Sequence, residues 1–381
     1  MKIGVIGVGR LGICFALLLN RGGYHVIASD IRANYVANLQ RGQIETNEPG
    51  VVDLLRQSAI EFTTDTRLVV QSSDVIYIMV ATPSRADGSY DISAVERVVA
   101  DVAESDFDIA GKILVVGCTT NPGDCQTIQN RLRSRGVHVL YNPEFIAQGS
   151  IIRDLENADI VLIGGEDANV MQRYQSVYYK IQPVKSPNIH TMSLTAAEFV
   201  KIGTNCFLTT KISYANMIGE VLTRSGLEQD VDRALAAIGQ DSRVGSRYLR
   251  YGFGFGGPCL PRDNRAFAAC AKRVGLDFPL GTIVDEFNRA HTRFLAEHYK
   301  KLNHDRQPFY IRSVSYKPGT DIYEESQQLS LVKLLLDDGY EVIIEPCDLM
   351  PDDLRQELAS KYKNLKFESI NTTKHVMEIP T

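Results

Sequence analysis

The run Gly7-Val8-Gly9-Arg10-Leu11-Gly12 constrains the fold of this 381-residue chain more than any other segment. It follows the apolar, strand-like Lys2-Ile3-Gly4-Val5-Ile6 and opens a segment that reads as a helix to about Leu19. A second strand-like stretch, His25-Val26-Ile27-Ala28-Ser29, ends at Asp30, 18 positions after the last glycine. Glycines at these spacings allow a tight turn and the close approach of a pyrophosphate to a helix N-terminus, where unpaired N–H groups attract negative charge. A carboxylate ending the second strand suits the ribose hydroxyls of an adenosine. Strand, turn, helix, strand and acid together predict a dinucleotide site. Asp30 would repel a 2′-phosphate, so NAD is expected rather than NADP, with Arg32 close by as a dissenting charge.

Further strand-like runs follow at Asp74 to Val80, Ile113 to Val116, Val137 to Leu140 and Ile160 to Ile163, several separated by helical stretches. That alternation predicts an α/β fold with a Rossmann-like, doubly wound parallel sheet, whose ligands bind beyond the carboxyl ends of the strands. The tips at those ends are Thr82-Pro83, Cys118-Thr119-Thr120 and Asn142-Pro143-Glu144-Phe145. From Thr195 the pattern turns helical to about Leu222, with Thr195 and Glu198 spaced as a capping box. Lys201 and Asn205 stand four apart on one face of that helix. A third segment starts near Pro308, with strands at Phe309 to Val314 and Glu341 to Ile344 around a helix from Gln328 to Asp338. The expected division is a dinucleotide-binding domain over 1–190, a central helical and dimerisation domain over 191–300, and a short α/β domain over 301–381. The polar tail has no clear pattern.

The dozen residues Gly252-Phe253-Gly254-Phe255-Gly256-Gly257-Pro258-Cys259-Leu260-Pro261-Arg262-Asp263 point to chemistry. Glycines before the thiol let the backbone close around a ligand. Pro261 suits the first turn of a helix from about Arg262 to Arg273, whose positive end favours a reactive thiolate at Cys259. The seven cysteines include no C-x-x-C pair and no metal spacing, which suits a reducing cytoplasm and predicts no bound metal. A net charge of −5 argues against a nucleic-acid surface. Arg10, Gly7 and Gly9 interrupt the apolar N-terminus, so no leader is read there, and no other run reaches the length of a membrane span.

Taken in order, these motifs resemble the UDP-glucose dehydrogenase family of nucleotide-sugar 6-dehydrogenases. The resemblance rests on the glycine turn, Asn47-Glu48-Pro49-Gly50, Val80-Ala81-Thr82-Pro83 and Asn142-Pro143-Glu144-Phe145-Ile146-Ala147-Gln148-Gly149. It continues through Lys201-Ile202-Gly203-Thr204-Asn205, Asp241-Ser242-Arg243-Val244-Gly245 with Tyr248, the Cys259 loop, and Tyr316-Lys317-Pro318-Gly319-Thr320-Asp321. It implies oxidation of a sugar C6 hydroxyl to a carboxylate in two hydride transfers to NAD, with Cys259 forming a thiohemiacetal and then a thioester. It further implies that Lys201 and Asn205 stabilise oxyanions, that Asp263 and Thr119 order water, and that Glu144 serves as acid or base. Gly7, Gly9, Arg10, Leu11, Gly12, Asp30, Thr82, Thr119, Gln148 and Arg262 would then hold NAD. Glu144, Phe145, Lys201, Asn205, Arg243, Tyr248, Phe253, Gly256 and Lys317 would hold the nucleotide sugar, with Arg243 reaching across a homodimer.

Departures from the family pattern stand at Gln148, where glutamate is frequent, and at Pro258 before the nucleophile. The proline of Asn121-Pro122-Gly123 is shifted, and Glu324 replaces an arginine. A carboxylate at Glu324 would weaken NAD binding if it faced the cofactor. UDP-glucose is the default substrate, with UDP-galactose, UDP-N-acetylhexosamines and GDP-mannose as alternatives. Two other readings are a 3-hydroxyacid dehydrogenase, which releases one NADH per substrate, and a non-catalytic nucleotide-sugar-binding homologue.

Overall fold

The computed structural model describes the chain except for residues 147–148, 183–185, 277–278, 318, 348, 371–374 and 381. The chain divides into two compact units, Met1–Ile202 and Gly203–Thr381. The first unit begins β1 (Lys2–Ile6), α1 (Arg10–Arg21), β2 (His25–Ser29), α2 (Ala33–Gln40), α3 (Val51–Gln57), β3 (Glu61–Thr63) and α4 (Thr66–Ser72). It continues with β4 (Val75–Ile78), α5 (Ser93–Ala103), β5 (Ile113–Val116), α6 (Asp124–Leu132), β6 (His138–Tyr141) and α7 (Ile151–Glu156). β7 (Val161–Gly164), α8 (Ala168–Ile181) and β8 (Ile189–Met192) complete the sheet, and α9 (Leu194–Arg224) runs out of it.

Eight strands lie in the order β3-β2-β1-β4-β5-β6-β7-β8. Every neighbouring pair is parallel except β6 and β7, which meet antiparallel at Tyr141 and Gly164. The expected parallel sheet is therefore present with one reversed junction. Strands β4 and β5 are apolar at every position and buried throughout, as helices on both faces require. The chain reverses direction across the sheet between β1 and β4. That places the glycine turn after β1 and the Thr82 loop after β4 at one switch point, where such sheets open a crevice.

The second unit contains α10 (Val231–Gln240), α11 (Leu260–Arg273) and α12 (Leu280–Leu302), then β9 (Phe309–Ile311), α13 (Gln327–Asp337) and β10 (Val342–Ile344). The polar tail that carried no pattern forms α14 (Asp352–Lys361), β11 (Leu365–Phe367) and β12 (Met377–Ile379). Its strands join a parallel sheet of order β11-β10-β9-β12. Three-residue strands are too short to show a period of two, which is why the tail was illegible as sequence. Tertiary packing supplies their order: Phe309, Ile311, Val332, Leu335, Val342, Ile344, Leu358 and Ile379 form one buried cluster.

The capping box expected at Thr195 is not formed. The long helix begins at Leu194, and Glu198 does not turn back toward its own helix start. Its carboxylate instead accepts from the Thr120 hydroxyl (2.8 Å), Gly123 N (2.7 Å) and Cys125 N (2.9 Å). Those groups open α6, whose own N-cap, Gly123, has no side chain to serve them. One buried carboxylate therefore caps a different helix and ties α9 to the loop carrying Thr119 and Thr120.

Candidate active site

In the first unit the glycine turn has the geometry its spacing implies. Gly7 has φ of +91°, and a Cβ on Gly12 would stand 2.0 Å from the Gly7 carbonyl oxygen. Gly9, by contrast, faces open space and caps α1 with no side-chain hydrogen bond and no acid in the first turn. A helix N-terminus left uncapped beneath an open glycine is the seat a pyrophosphate requires, so these residues fit NAD. Arg10 is exposed beside it, Leu11 packs on the core beneath, and Thr82 is buried in the loop after β4. Asp30 follows β2 with its carboxylate gripped by Arg32. Gln148 lies outside the described residues.

Lys201, Glu144 and Phe145 come together in this unit. The Lys201 ammonium donates to the Glu144 backbone carbonyl at 2.7 Å and sits 4.9 Å from the Phe145 ring centroid. Lys201 is buried and Glu144 half-buried, so the cation has little water around it. The strand end that positions Glu144 is held by Asn142. Its side-chain oxygen accepts from the Tyr174 and Tyr178 hydroxyls, each at 2.5 Å, and its amide donates to the Leu162 carbonyl. Thr119 is buried in the loop after β5, next to the Thr120 that Glu198 holds.

In the second unit Cys259 is the N-cap of α11 and is exposed, in contrast to the buried Cys206 and Cys270. Pro261 occupies the first turn of the helix. Asp263 is fully buried one turn on and accepts from the Asn205 amide at 2.6 Å and from Arg262 at 3.3 Å. Asn205 and Asp263 are thus brought together, with Arg262 against the same carboxylate. The approach to the thiol is crowded: a Cβ on Gly256 would stand 2.6 Å from the Glu325 carbonyl oxygen, and one on Gly257 would stand 2.6 Å from the Tyr316 ring. Burial, then the nearby Cys259 and Tyr248, raise the Tyr316 hydroxyl above its ordinary pKa. Lys317 follows Tyr316 and is half-buried.

Arg243 and Tyr248 stand on the loop after α10. Arg243 is exposed and makes a two-point ion pair with Asp241 (3.0 and 2.6 Å), while Lys211 holds the Val244 and Gly245 carbonyls. Tyr248 is exposed at φ +63°, a conformation few side chains adopt, and such strain concentrates where a residue must face a ligand. Glu324 is exposed; its backbone carbonyl accepts from Gly257 N at 3.0 Å. The ion pair in that segment belongs to Glu325, which meets Arg265 at 2.5 Å.

Three positioning residues escaped the sequence reading. Asn216 of α9 accepts from Gly252 N and donates to the Phe253 carbonyl. Asn288 of α12 accepts from Phe255 N and donates to the Phe255 carbonyl (2.9 and 2.8 Å). Buried His291 sits between Glu220 Oε1 and the Gly252 carbonyl, each at 2.7 Å. The amides answer the loop's backbone as a neighbouring strand would. Their only trace in sequence is polarity inside an apolar helix period, which names no partner. We expect Asn288→Ala to orphan the buried Phe255 N–H and carbonyl and to cost roughly 2–3 kcal/mol of stability. Chemical denaturation checks this, and a change below about 0.5 kcal/mol would mean that water replaces the amide.

Among the described residues there is no cluster of His, Cys, Asp or Glu that could hold a metal, and no helix is long and apolar enough to cross a membrane. Comparison with known proteins gives a consistent outcome. Residues 1–182 match the model of the UDP-glucose/GDP-mannose dehydrogenase family NAD-binding domain, and residues 195–290 match the family's central domain. A putative UDP-glucose 6-dehydrogenase of Bacillus subtilis is 30% identical over 94% of this chain and 84% of its own length. A UDP-glucose 6-dehydrogenase of Rhizobium meliloti is 31% identical over 90% of this chain and 80% of its own. The GDP-mannose 6-dehydrogenase of Pseudomonas aeruginosa is 29% identical over 90% of this chain and 80% of its own. Among solved structures, a UDP-glucose dehydrogenase from Pyrobaculum islandicum superposes with a TM-score of 0.81 at 26% identity, covering 97% of this chain and 86% of that one. With both family models matched in order and a dinucleotide seat built as NAD needs it, the chain belongs to the UDP-glucose/GDP-mannose dehydrogenase family of NAD-dependent nucleotide-sugar dehydrogenases.

Proposed function

We propose that this enzyme carries the C6 hydroxyl of UDP-glucose to the carboxylate, consuming two NAD per sugar, through a covalent intermediate on Cys259. The observation that carries the reading is the exposed Cys259 thiol at the start of α11, with the buried Asp263 carboxylate one turn on and the Asn205 amide bonded to it. NAD supplies the hydride acceptor in each oxidation. Lys201 stabilises the alkoxide as the first hydride leaves, since a buried ammonium acts strongly on a developing negative charge. The Cys259 sulfur then adds to the aldehyde carbon, and a proton passes to the former carbonyl oxygen. Loss of the second hydride, with the hydroxyl proton passing to water, leaves a thioester. Water ordered by Asp263 and Thr119 attacks it, with Glu144 handling the proton, and the thiol is released with the carboxylate.

UDP-glucose is favoured because the Bacillus subtilis and Rhizobium meliloti relatives bear that name; UDP-N-acetylhexosamines, UDP-galactose and GDP-mannose are the alternatives. A panel of nucleotide sugars with NADH counted per molecule consumed tests both claims. Two NADH per UDP-glucose is the expected outcome. One NADH per sugar would reject the thioester route, and full turnover of another sugar with none of UDP-glucose would reassign the substrate.

The same reading includes a homodimer built on α9, and three domains bounded near residues 190 and 300. Phe207, Tyr214, Met217 and Val221 lie within one face of α9 and are all exposed, an apolar stripe that a second copy would cover. Arg243 then serves the partner's nucleotide sugar. Phe207→Asp should shift the sedimenting species from dimer to monomer. A wild-type protein that sediments as an active monomer would remove both assignments.

A further inference from the structure

The adenosine end of the dinucleotide seat is electrostatically unusual. In a site selective for NAD, the acid ending the second strand accepts hydrogen bonds from the ribose and repels a 2′-phosphate. Here Asp30 does not stand alone. Arg32 Nε donates to Oδ1 at 2.8 Å, Arg32 Nη2 donates to Oδ2 at 3.0 Å, and the Arg32 backbone N–H adds a third bond to Oδ1 at 3.1 Å. A two-point guanidinium–carboxylate pair is strong and directional. Burial alone would raise the Asp30 carboxyl, yet the hydrogen bonds from Arg32 hold it below its ordinary pKa, so the pair is ionised and neutral in sum.

Arg32 is itself fixed in place. Its guanidinium lies 4.2 Å from the Tyr35 ring centroid, and the Tyr35 hydroxyl donates to the Val8 carbonyl, inside the glycine turn, at 2.9 Å. The ring thus holds the cation and is itself tied by its hydroxyl to the glycine turn. The Arg32 side chain is 55% exposed against 8% for Asp30, so the face offered to an incoming ribose is cationic rather than anionic. A guanidinium fixed over an aromatic ring and more than half exposed can receive a phosphate monoester.

We propose that Arg32 makes the adenosine end of this site tolerant of a 2′-phosphate, so that NADP binds within about tenfold of NAD. The proposal goes beyond the dehydrogenase reading and depends on it only for the presence of a dinucleotide. It concerns binding alone, and NAD remains the family's cofactor.

The test is a titration of purified protein with NADH and with NADPH, without sugar, followed by nicotinamide fluorescence. The chain has no tryptophan, so no indole emission intrudes. For the wild type the ratio of dissociation constants should stay within about tenfold. Arg32→Ala leaves Asp30 unpaired and should raise that ratio at least a further tenfold, chiefly by loss of NADPH binding, while Arg32→Lys keeps a cation and should lie between the two. Because Arg32 is more than half exposed, its replacement leaves the core intact. A wild-type ratio above tenfold, or a ratio that Arg32→Ala does not change, overturns the proposal. A wild type that binds neither nucleotide overturns the dinucleotide seat itself, and the proposal with it.

Discussion

Cys259→Ala is expected to abolish carboxylate formation, lowering the rate of the complete reaction by ~10³-fold or more, the scale seen when a covalent nucleophile is deleted. NADH released per sugar should fall from two to one at most, because in the proposed route the first oxidation needs no thiol. The change should be visible in chemistry rather than in folding. Cys259 is exposed and makes no side-chain cap to α11, so an alanine there removes little packing. Affinities for NAD and for the nucleotide sugar should move by less than about threefold, which separates a lost nucleophile from a collapsed loop. Undiminished carboxylate from the purified variant would remove the covalent mechanism altogether.

Glu198→Ala should produce the largest loss of stability. Deleting this fully buried carboxylate orphans two backbone N–H groups at the start of α6 and leaves the Thr120 hydroxyl only the Cys125 sulfur, at 3.6 Å. Each unsatisfied buried donor costs roughly 1–3 kcal/mol, so a total of about 3–5 kcal/mol is expected after partial relaxation. The pH dependence has a definite sign. Burial is the largest influence on Glu198 and outweighs the hydrogen bonds it receives, so its folded pKa is raised above the ordinary value of 4.5. A carboxyl raised in the folded state holds its proton longer there than in the unfolded chain. Its contribution is therefore fully present below about pH 4.5 and declines as the pH rises through the folded value. The penalty of Glu198→Ala should be greatest in acid and smaller at neutral pH. Denaturation at pH 4 and pH 7 measures this, and a penalty that grows toward neutrality would show that ionisation stabilises the cap. Because Glu198 grips the loop carrying Thr119, the variant should also lose activity before it unfolds.

Local signals in the chain reach far for the first unit. The glycine turn is readable because its constraint is local: positive φ at Gly7 and a 2.0 Å approach at Gly12 exclude any side chain, wherever the rest of the protein lies. The buried strands β1, β4 and β5 are readable for a similar reason, since four or five consecutive apolar residues between turns leave few alternatives. Cys259 before Pro261 marks a helix start, and α11 begins there.

Tertiary structure decided what depends on residues far apart in the chain. The spacing of Thr195 and Glu198 matches a capping box, but a local motif yields when a distant helix start has a greater need, and Glu198 serves Gly123 and Cys125 instead. The polarity of Asn216, Asn288 and His291 is visible in sequence, yet nothing local says that all three converge on Gly252 to Phe255. Asp30 announces itself as a ribose acceptor by position, and only the fold shows that Arg32 occupies both of its oxygens. Glycine geometry and apolar runs act within a few residues and so are written in order along the chain. Hydrogen bonds and ion pairs between side chains depend on which elements meet, and that is settled when the core packs.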